Sequence, residues 1–253
     1  MSGELARIEA FCRWVEDGTS TRTTTWRFGT ALFHEDFPTF HDHNFLRVER
    51  PAGDASAAEL AAEADAVLAG FAHREIVVGD EAEGDRLAPG FAELGWRTER
   101  LVYQVRMRDP DRPAPVAARE VTIDEVFPFR EETWRRPYGE ASVPLAAFGR
   151  VLAERIGARF FVSEVDGAMA SGCELYQHGD VAQIETVDTL EEYRERGLAR
   201  SVVLAATDAA LAAGADLVFI IADDDDWPKE LYAKLGFDAV GRFWQFTLPP
   251  APG

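Results

Sequence analysis

Thr186-Val-Asp-Thr-Leu-Glu-Glu-Tyr-Arg-Glu-Arg-Gly-Leu-Ala-Arg200 leads from one regular segment into another of different period. Before it, Val181–Thr186 has the apolar and β-branched residues of a strand. After it, Ser201–Ala213 repeats its apolar residues at helical spacing. Gly197 permits a backbone conformation that a side chain would hinder, and Ala199 is small enough to let a ligand approach. The amides of Arg196 through Arg200 would then open outward at a helix N-terminus, where free N–H groups and the positive dipole end coincide. Arg194, Arg196 and Arg200 add the charge that a phosphorylated ligand needs. The same residues also fit an ordinary glycine-containing loop with solvated arginines, and the loop alone does not choose.

Working outward, the chain repeats itself. Phe91-Ala-Glu-Leu-Gly-Trp and Tyr232-Ala-Lys-Leu-Gly-Phe align at an offset of 141 residues, and at that offset Gln104 meets Gln245. Upstream, Ile76-Val-Val falls on Leu217-Val-Phe, both reading as buried strands. The alanine-rich Glu59–Ala72 falls on Arg200–Ala213, and Asn44-Phe-Leu-Arg-Val falls on Glu185-Thr-Val-Asp-Thr. Each half therefore reads strand, helix, strand, short helix with Leu-Gly-aromatic, strand. Asp109-Pro-Asp-Arg-Pro-Ala-Pro lacks periodicity and reads as a linker, giving domains at 1–112 and 113–253. Beyond it, Ala118 begins a strand, and Ile123–Trp134 and Pro144–Ile156 read as helices. Arg159–Val165 and Ala168–Tyr176 read as a hairpin turning at Asp166-Gly167.

Composition narrows the classes of function. A formal charge of −19 would repel nucleic acid and is compatible with cationic ligands such as amines, besides conferring solubility. No apolar run reaches the roughly 18 residues that cross a bilayer, and the N-terminus has no secretory pattern, so no membrane partner and a cytoplasmic setting are expected. Cys12 and Cys173 are too few and too far apart for a zinc cluster, although one disulfide is compatible with them. His41 and His43 alternate along an apparent strand without a readable third ligand, and no metal is expected.

The pattern R-x-x-G-x-A at Arg194–Ala199 resembles the acetyl-CoA pyrophosphate loop of the Gcn5-related N-acetyltransferase (GNAT) family. Thr186–Ala199 resembles that family's fourth strand running into its third helix, and Leu231-Tyr-Ala-Lys-Leu-Gly-Phe resembles its closing motif. The resemblance covers Ala118 to roughly Leu248. It implies an α/β fold of two tandem GNAT-like domains, each a mixed, mostly antiparallel sheet flanked by helices. It also implies an acyltransferase that passes the acetyl group of acetyl-CoA directly to an amine of a small molecule or peptide. By resemblance, Val187 and Thr189 lie along the pantetheine arm, and a backbone N–H near Val187 takes the developing oxyanion. Arg194, Arg196, Gly197, Leu198, Ala199 and Arg200 hold the pyrophosphate, Tyr232 protonates the thiolate, and Glu185 stands where many members place the base.

Some positions depart from this pattern or remain open. Glu174 is a second candidate for base or substrate anchor, and Trp134, Arg135, Arg136 and Tyr138 fall where the family borders its acceptor. Asp225 stands where many relatives carry Asn, within Asp223-Asp-Asp-Asp-Trp-Pro, a run that reads as solvated or as a cap for the last helix. In the N-terminal copy the arginine loop becomes Gly53-Asp-Ala-Ser-Ala-Ala and Tyr232 becomes Phe91, so this copy reads as degenerate. The alternative to an enzyme is a non-catalytic acyl-CoA-binding or regulatory protein. Monomer and homodimer both remain compatible.

Overall fold

The computed structural model describes residues 3–250. Helix α1 (Gly3–Thr19) precedes strands β1 (Arg22–Trp26), β2 (Gly29–Phe33) and β3 (Phe45–Val48). Helix α2 (Ala57–Val67), strand β4 (Arg74–Val78), helix α3 (Glu81–Glu93) and strand β5 (Arg97–Arg106) complete the first half. The second half runs β6 (Ala118–Val121), α4 (Ile123–Tyr138), α5 (Ser142–Ile156), β7 (Arg159–Val165), β8 (Ala168–His178) and β9 (Val181–Thr189). It ends with α6 (Leu198–Ala212), β10 (Leu217–Asp223), α7 (Pro228–Lys234) and β11 (Phe237–Leu248). The β3–α2–β4–α3–β5 order matches β9–α6–β10–α7–β11, as the internal repeat requires. Among the described residues no helix is long and apolar enough to cross a membrane.

Local chemistry sets the element ends. Ser56 and Thr122 each close a capping box, with Glu59 and Glu125 returning the hydrogen bond to the cap's own N–H. Asp166 and Gly167, both at positive φ, turn the β7–β8 hairpin where the sequence placed it. Two expectations change. His41 and His43 lie on a short 3-10 turn and not on a strand, so they do not alternate on one face. His41 instead stacks on His73, with ring centroids 4.1 Å apart, while His43 meets Phe40 edge-on and is pushed down to about 3 by burial. The acidic run departs in part: Asp225 and Asp226 are exposed as a solvated run would be, but α7 starts on Pro228 without a side-chain cap and Asp224 is buried between Arg100 (2.9 Å) and Arg242 (2.7 Å).

The chain divides into two compact units. One holds the chain up to Phe11 with Tyr103–Ala222 and Trp227–Val240; the other holds Cys12–Val102, Asp223–Asp226 and the chain from Gly241. These units do not coincide with a cut at the proline-rich segment, because each repeat sends the end of its last strand, β5 from Tyr103 and β11 from Gly241, to the unit built mainly by the other. Gln104 near the end of β5 donates to the carbonyls of Lys229 and Phe237 within the first unit. The end of β11 pairs antiparallel with β4 in the second, Trp244 facing Val78 and Leu248 facing Arg74.

In the second unit β1, β2, β3, β4 and the end of β11 follow one another, with β3 and β4 parallel. Its core joins Trp26, Leu46, Leu60, Ile76, Phe91 and Phe246. Arg47 on β3 reaches Glu16, Asp17 and Glu49 at 2.5, 3.1 and 2.7 Å. In the first unit β10, β9, β8, β7 and β6 are neighbours, and only the β10–β9 pair is parallel. Val202, Val203, Ala206 and Ala210 bury one stripe of α6.

Glu75 in the second unit is a buried carboxyl beside Thr247 and Gln245 and near the like charge of Asp42, and burial raises its pKa well above the ordinary value. A raised native pKa favours folding below the unfolded-state value and loses that advantage as pH rises towards the native one. Glu75→Gln is therefore expected to raise the melting temperature, by more at pH 8 than at pH 5, as thermal unfolding at the two pH values would measure. An equal or opposite change would contradict a carboxyl held neutral by burial.

Candidate active site

The N-terminus of α6 is open. Its N-cap, Gly197, has φ 76° and offers no side chain to the first amides, so the first helical N–H with an internal partner is that of Ser201. Leu198, Ala199 and Arg200 thus present their amides at the positive end of the helix. Arg194 and Arg196 are exposed beside them, tethered by bonds to the carbonyls of Thr189 (3.3 Å) and Glu192 (3.1 Å). Arg200 is different: its side chain is buried, with Nη1 on Asp111 Oδ1 at 2.6 Å and on the Arg112 carbonyl at 3.0 Å. Its Nε and Nη2 have no hydrogen-bond partner. Open amides, two exposed arginines and orphaned guanidinium donors form a donor set that fits a diphosphate.

The equivalent helix of the other repeat has no such opening. The Ser56 hydroxyl accepts from the Glu59 amide at the start of α2, and Glu59 itself accepts from Ser56, so this helix caps itself. Phe91, the counterpart of Tyr232, is fully buried and stacks on Phe246 with centroids 4.3 Å apart.

Strand β9 departs from regularity at its midpoint. Its parallel pairing with β10 runs from Val181 opposite Leu217 to Ile184 opposite Ile220. On its other edge Glu174 faces Glu185 and Gly172 faces Asp188, so Thr186 and Val187 together stand opposite Cys173. This is a β-bulge, and Thr186 takes φ 50° in it, rare for a β-branched residue. The extra residue turns both Glu185 and Asp188 to the face of the sheet that carries Glu174. Without it, their three-residue spacing would send them to opposite faces.

Side chains converge on that bulge. Glu185 accepts from Gln183 Nε2 at 2.6 Å and from the Thr186 amide at 3.2 Å. Asp188 accepts from the Trp134 indole at 3.1 Å; burial raises its pKa while Trp134, Arg130 and Arg194 draw it down. Tyr232 on α7 is buried, and its pKa is raised first by burial and then by the nearby charges of Glu185, Cys173 and Asp188. The structure thus brings Glu185, Val187, Thr189 and Tyr232 into one region. Glu174 is buried and bonded to Arg130 and to the Tyr176 hydroxyl, so it is no longer open as a base. Tyr138 is exposed, Arg135 pairs with Glu131 and Glu132, Arg136 pairs with Glu191, and Asp225 is exposed with its N–H on Asp223. Cys12 and Cys173 are not joined in a disulfide.

Arg130, Tyr176 and Asp188 are absent from the sequence-derived candidates. A signal existed for the first: Arg130 interrupts the apolar face of α4 between Val126 and Phe129 on one side and Trp134 on the other. Among the described residues no group of three or more His, Cys, Asp or Glu is placed to hold a metal ion.

Residues 123–237 match the family model described as the acetyltransferase (GNAT) family. No curated protein matches the chain. Among solved structures, a functionally unknown conserved protein from Staphylococcus epidermidis is similar over 92% of this chain and 95% of its own, with TM-score 0.68 and 14% identity. A GCN5-related N-acetyltransferase from Kribbella flavida aligns over 99% and 97%, with TM-score 0.61 and 18% identity. A tandem GNAT protein from the clavulanic acid biosynthesis pathway aligns over 94% and 88%, with TM-score 0.56 and 18% identity. At these identities the likeness is one of fold.

The two helix starts respond differently to substitution. Gly197→Ala places a side chain at φ 76°, with its Cβ 3.0 Å from Pro115 Cγ, and is expected to weaken acetyl-CoA binding at least tenfold in calorimetric titration. Ser56→Ala removes a cap worth about 1 kcal/mol, lowering the melting temperature by a few degrees while leaving that affinity unchanged. Equal effects of both variants on binding would contradict the distinction between an open and a closed helix.

Proposed function

We propose, from the match of residues 123–237 to the acetyltransferase (GNAT) family, that the protein is an acetyl-CoA-dependent N-acetyltransferase acting on an amine of a small molecule or peptide. The observation that carries the proposal is the convergence of the uncapped α6 N-terminus with the β9 bulge, Glu185 and Tyr232 in a single compact unit. Bound acetyl-CoA supplies an activated acetyl thioester. The amides of Leu198, Ala199 and Arg200, with the guanidinium groups of Arg194 and Arg196, hold its diphosphate. Val187 and Thr189 lie along the strand that flanks its arm.

An acceptor ammonium has a pKa near 10 and must lose a proton before its nitrogen can attack. Glu185 is the proposed base, directly or through water, and its bonds from Gln183 and Thr186 orient both carboxylate oxygens. The Val187 amide, within the bulge, is the proposed donor that stabilises the oxyanion as it develops. Tyr232 donates its proton to the departing thiolate. Burial and adjacent acids hold this phenol protonated at pH values where an ordinary tyrosine would begin to ionise. Transfer is direct, without a covalent enzyme intermediate.

Calorimetry with acetyl-CoA on the wild type and on an Arg194→Ala/Arg196→Ala variant tests the first half of this proposal, and binding is expected to fall at least tenfold in the variant. Tyr232→Phe tests the second: affinity is expected to hold within twofold while thiol release with amines drops by about 10²–10⁴. The wild-type rate should climb with pH without a falling limb below pH 10, since Tyr232 keeps its proton there. Tight binding without transfer to any amine would favour the acyl-CoA-binding or regulatory alternative, and no binding would overturn both.

A further inference from the structure

The segment between the repeats reads in the sequence as a spacer, yet it is tied at both ends to the proposed site. It lies within the first unit and has no regular secondary structure from Met107 to Ala117. Pro110, Pro113 and Pro115 fix its backbone and leave it few N–H groups. At its start, Arg108 Nη2 donates to the Ala233 carbonyl at 2.8 Å, and the Asp111 N–H donates to the Lys234 carbonyl at 2.9 Å. Ala233 and Lys234 are the last two residues of α7, the helix that carries Tyr232. At its end, Pro115 lies over the N-cap of α6, since a Cβ on Gly197 would stand 3.0 Å from Pro115 Cγ.

Between these ties lies Arg200, in the first turn of α6. Its side chain is only 1% exposed, although the segment against it is exposed from Asp111 to Ala117. Nη1 reaches Asp111 Oδ1 at 2.6 Å and the Arg112 carbonyl at 3.0 Å, while Nε and Nη2 have no partner among the described residues. A buried guanidinium bonded through one nitrogen depends on that hold, and loss of the carboxylate would leave its charge without this counter-ion. Asp111 therefore touches both helices, the start of α6 through its carboxylate and the end of α7 through its N–H. With seven residues, α7 is too short to be stable without such contacts. An acid beside an anion site would by charge alone weaken anion binding. Paired with Arg200, however, this acid is locally neutralised, and what remains is its hold on the turn that presents the open amides of Leu198 and Ala199.

We propose that the inter-repeat segment is part of the cofactor site, with Asp111 as a positioning residue that clasps the open start of α6 to the end of α7. The clasp stands on the contacts above. Its bearing on acetyl-CoA rests on the acetyltransferase reading.

Asp111→Ala, Asp111→Asn and Arg200→Met, made singly, and the first and last combined, test the proposal in the full chain. Acetyl-CoA affinity is read by calorimetric titration. Hydrogen exchange is read on peptides spanning 197–201 and 231–236, with strand β7 as the internal control. Asp111→Ala is expected to weaken acetyl-CoA binding about tenfold, although it removes a negative charge near the site of a polyanion. It should also speed exchange in both peptides several-fold and leave β7 unchanged. Asp111→Asn keeps an acceptor oxygen for Arg200 and should stay within about threefold of the wild type, a rescue that a purely electrostatic role would not give. In the Arg200→Met background, Asp111→Ala should change affinity by less than about twofold. Should that background not fold, the contrast between alanine and asparagine at position 111 decides. Binding unchanged or tightened by Asp111→Ala, or equal losses with and without Arg200, would overturn the proposal. A wild type that binds no acetyl-CoA would instead overturn the acetyltransferase reading, and exchange at 197–201 and 231–236 would still decide whether Asp111 clasps the two helices.

Discussion

Parallel pairing between β9 and β10 ends at Ile184 and Ile220, and the architecture of the C-terminal repeat is organised around the backbone groups beyond that point. A strand cannot leave its buried N–H and C=O groups without partners. On one edge β9 keeps its antiparallel bonds to β8, with the bulge taking up one extra residue. On the other edge it leaves a backbone available to a ligand lying along the strand as an added one would. The loop that follows delivers the chain to a helix whose first amides are equally open. The bulged strand and the open helix start are thus joined by a loop that begins and ends in the same structural unit.

The two repeats show how little must change to close such a site. Backbone order is the same in both, and β3–β4 are parallel just as β9–β10 are. A serine in place of Gly197's open cap lets α2 satisfy its own N-terminus, and a phenyl ring in place of a phenol joins the apolar core. Each substitution replaces a group awaiting a ligand with one satisfied by the protein. The exchange of last strands adds a constraint in the other direction: neither repeat completes its own sheet, since β11 ends beside β4 while Gln104 is bonded beside α7 and the start of β11. A degenerate copy cannot then be discarded without removing part of a strand from its partner.

Much of this was legible in the sequence, because periodicity and glycine carry local information. The strand–loop–helix around Gly197, the hairpin at Asp166-Gly167 and the repeat itself follow from residue types at short range. What escaped depends on tertiary context. Thr186 belongs to the residue types least suited to positive φ, so nothing in its identity announces a bulge. With the bulge unseen, Asp188 would be assigned to the face opposite Glu185. Asp224 looks like one of four solvated acids until Arg100 and Arg242, distant in sequence, close on it. His41 and His43 gave a false period of two because a 3-10 turn of three residues is too short to show a period of its own.

Charge poses the remaining physical question, since a protein of net charge −19 is proposed to hold a polyanion. Salt screens exposed charges beyond about 10 Å, so the field at the α6 N-terminus is set by its immediate neighbours and not by the total. There Arg194, Arg196 and the helix dipole stand beside Glu192 and Glu195, while Glu191 is paired with Arg136. Around the bulge acids gather: Glu174 is neutralised by Arg130, while Glu185 accepts from Gln183 and Asp188 from the Trp134 indole on the same face of the sheet. A diphosphate at one end and an ammonium at the other would each meet the opposite sign. The buried arginine bears on the second, because an unpaired Glu174 would add a third like charge beside Glu185, the proposed base.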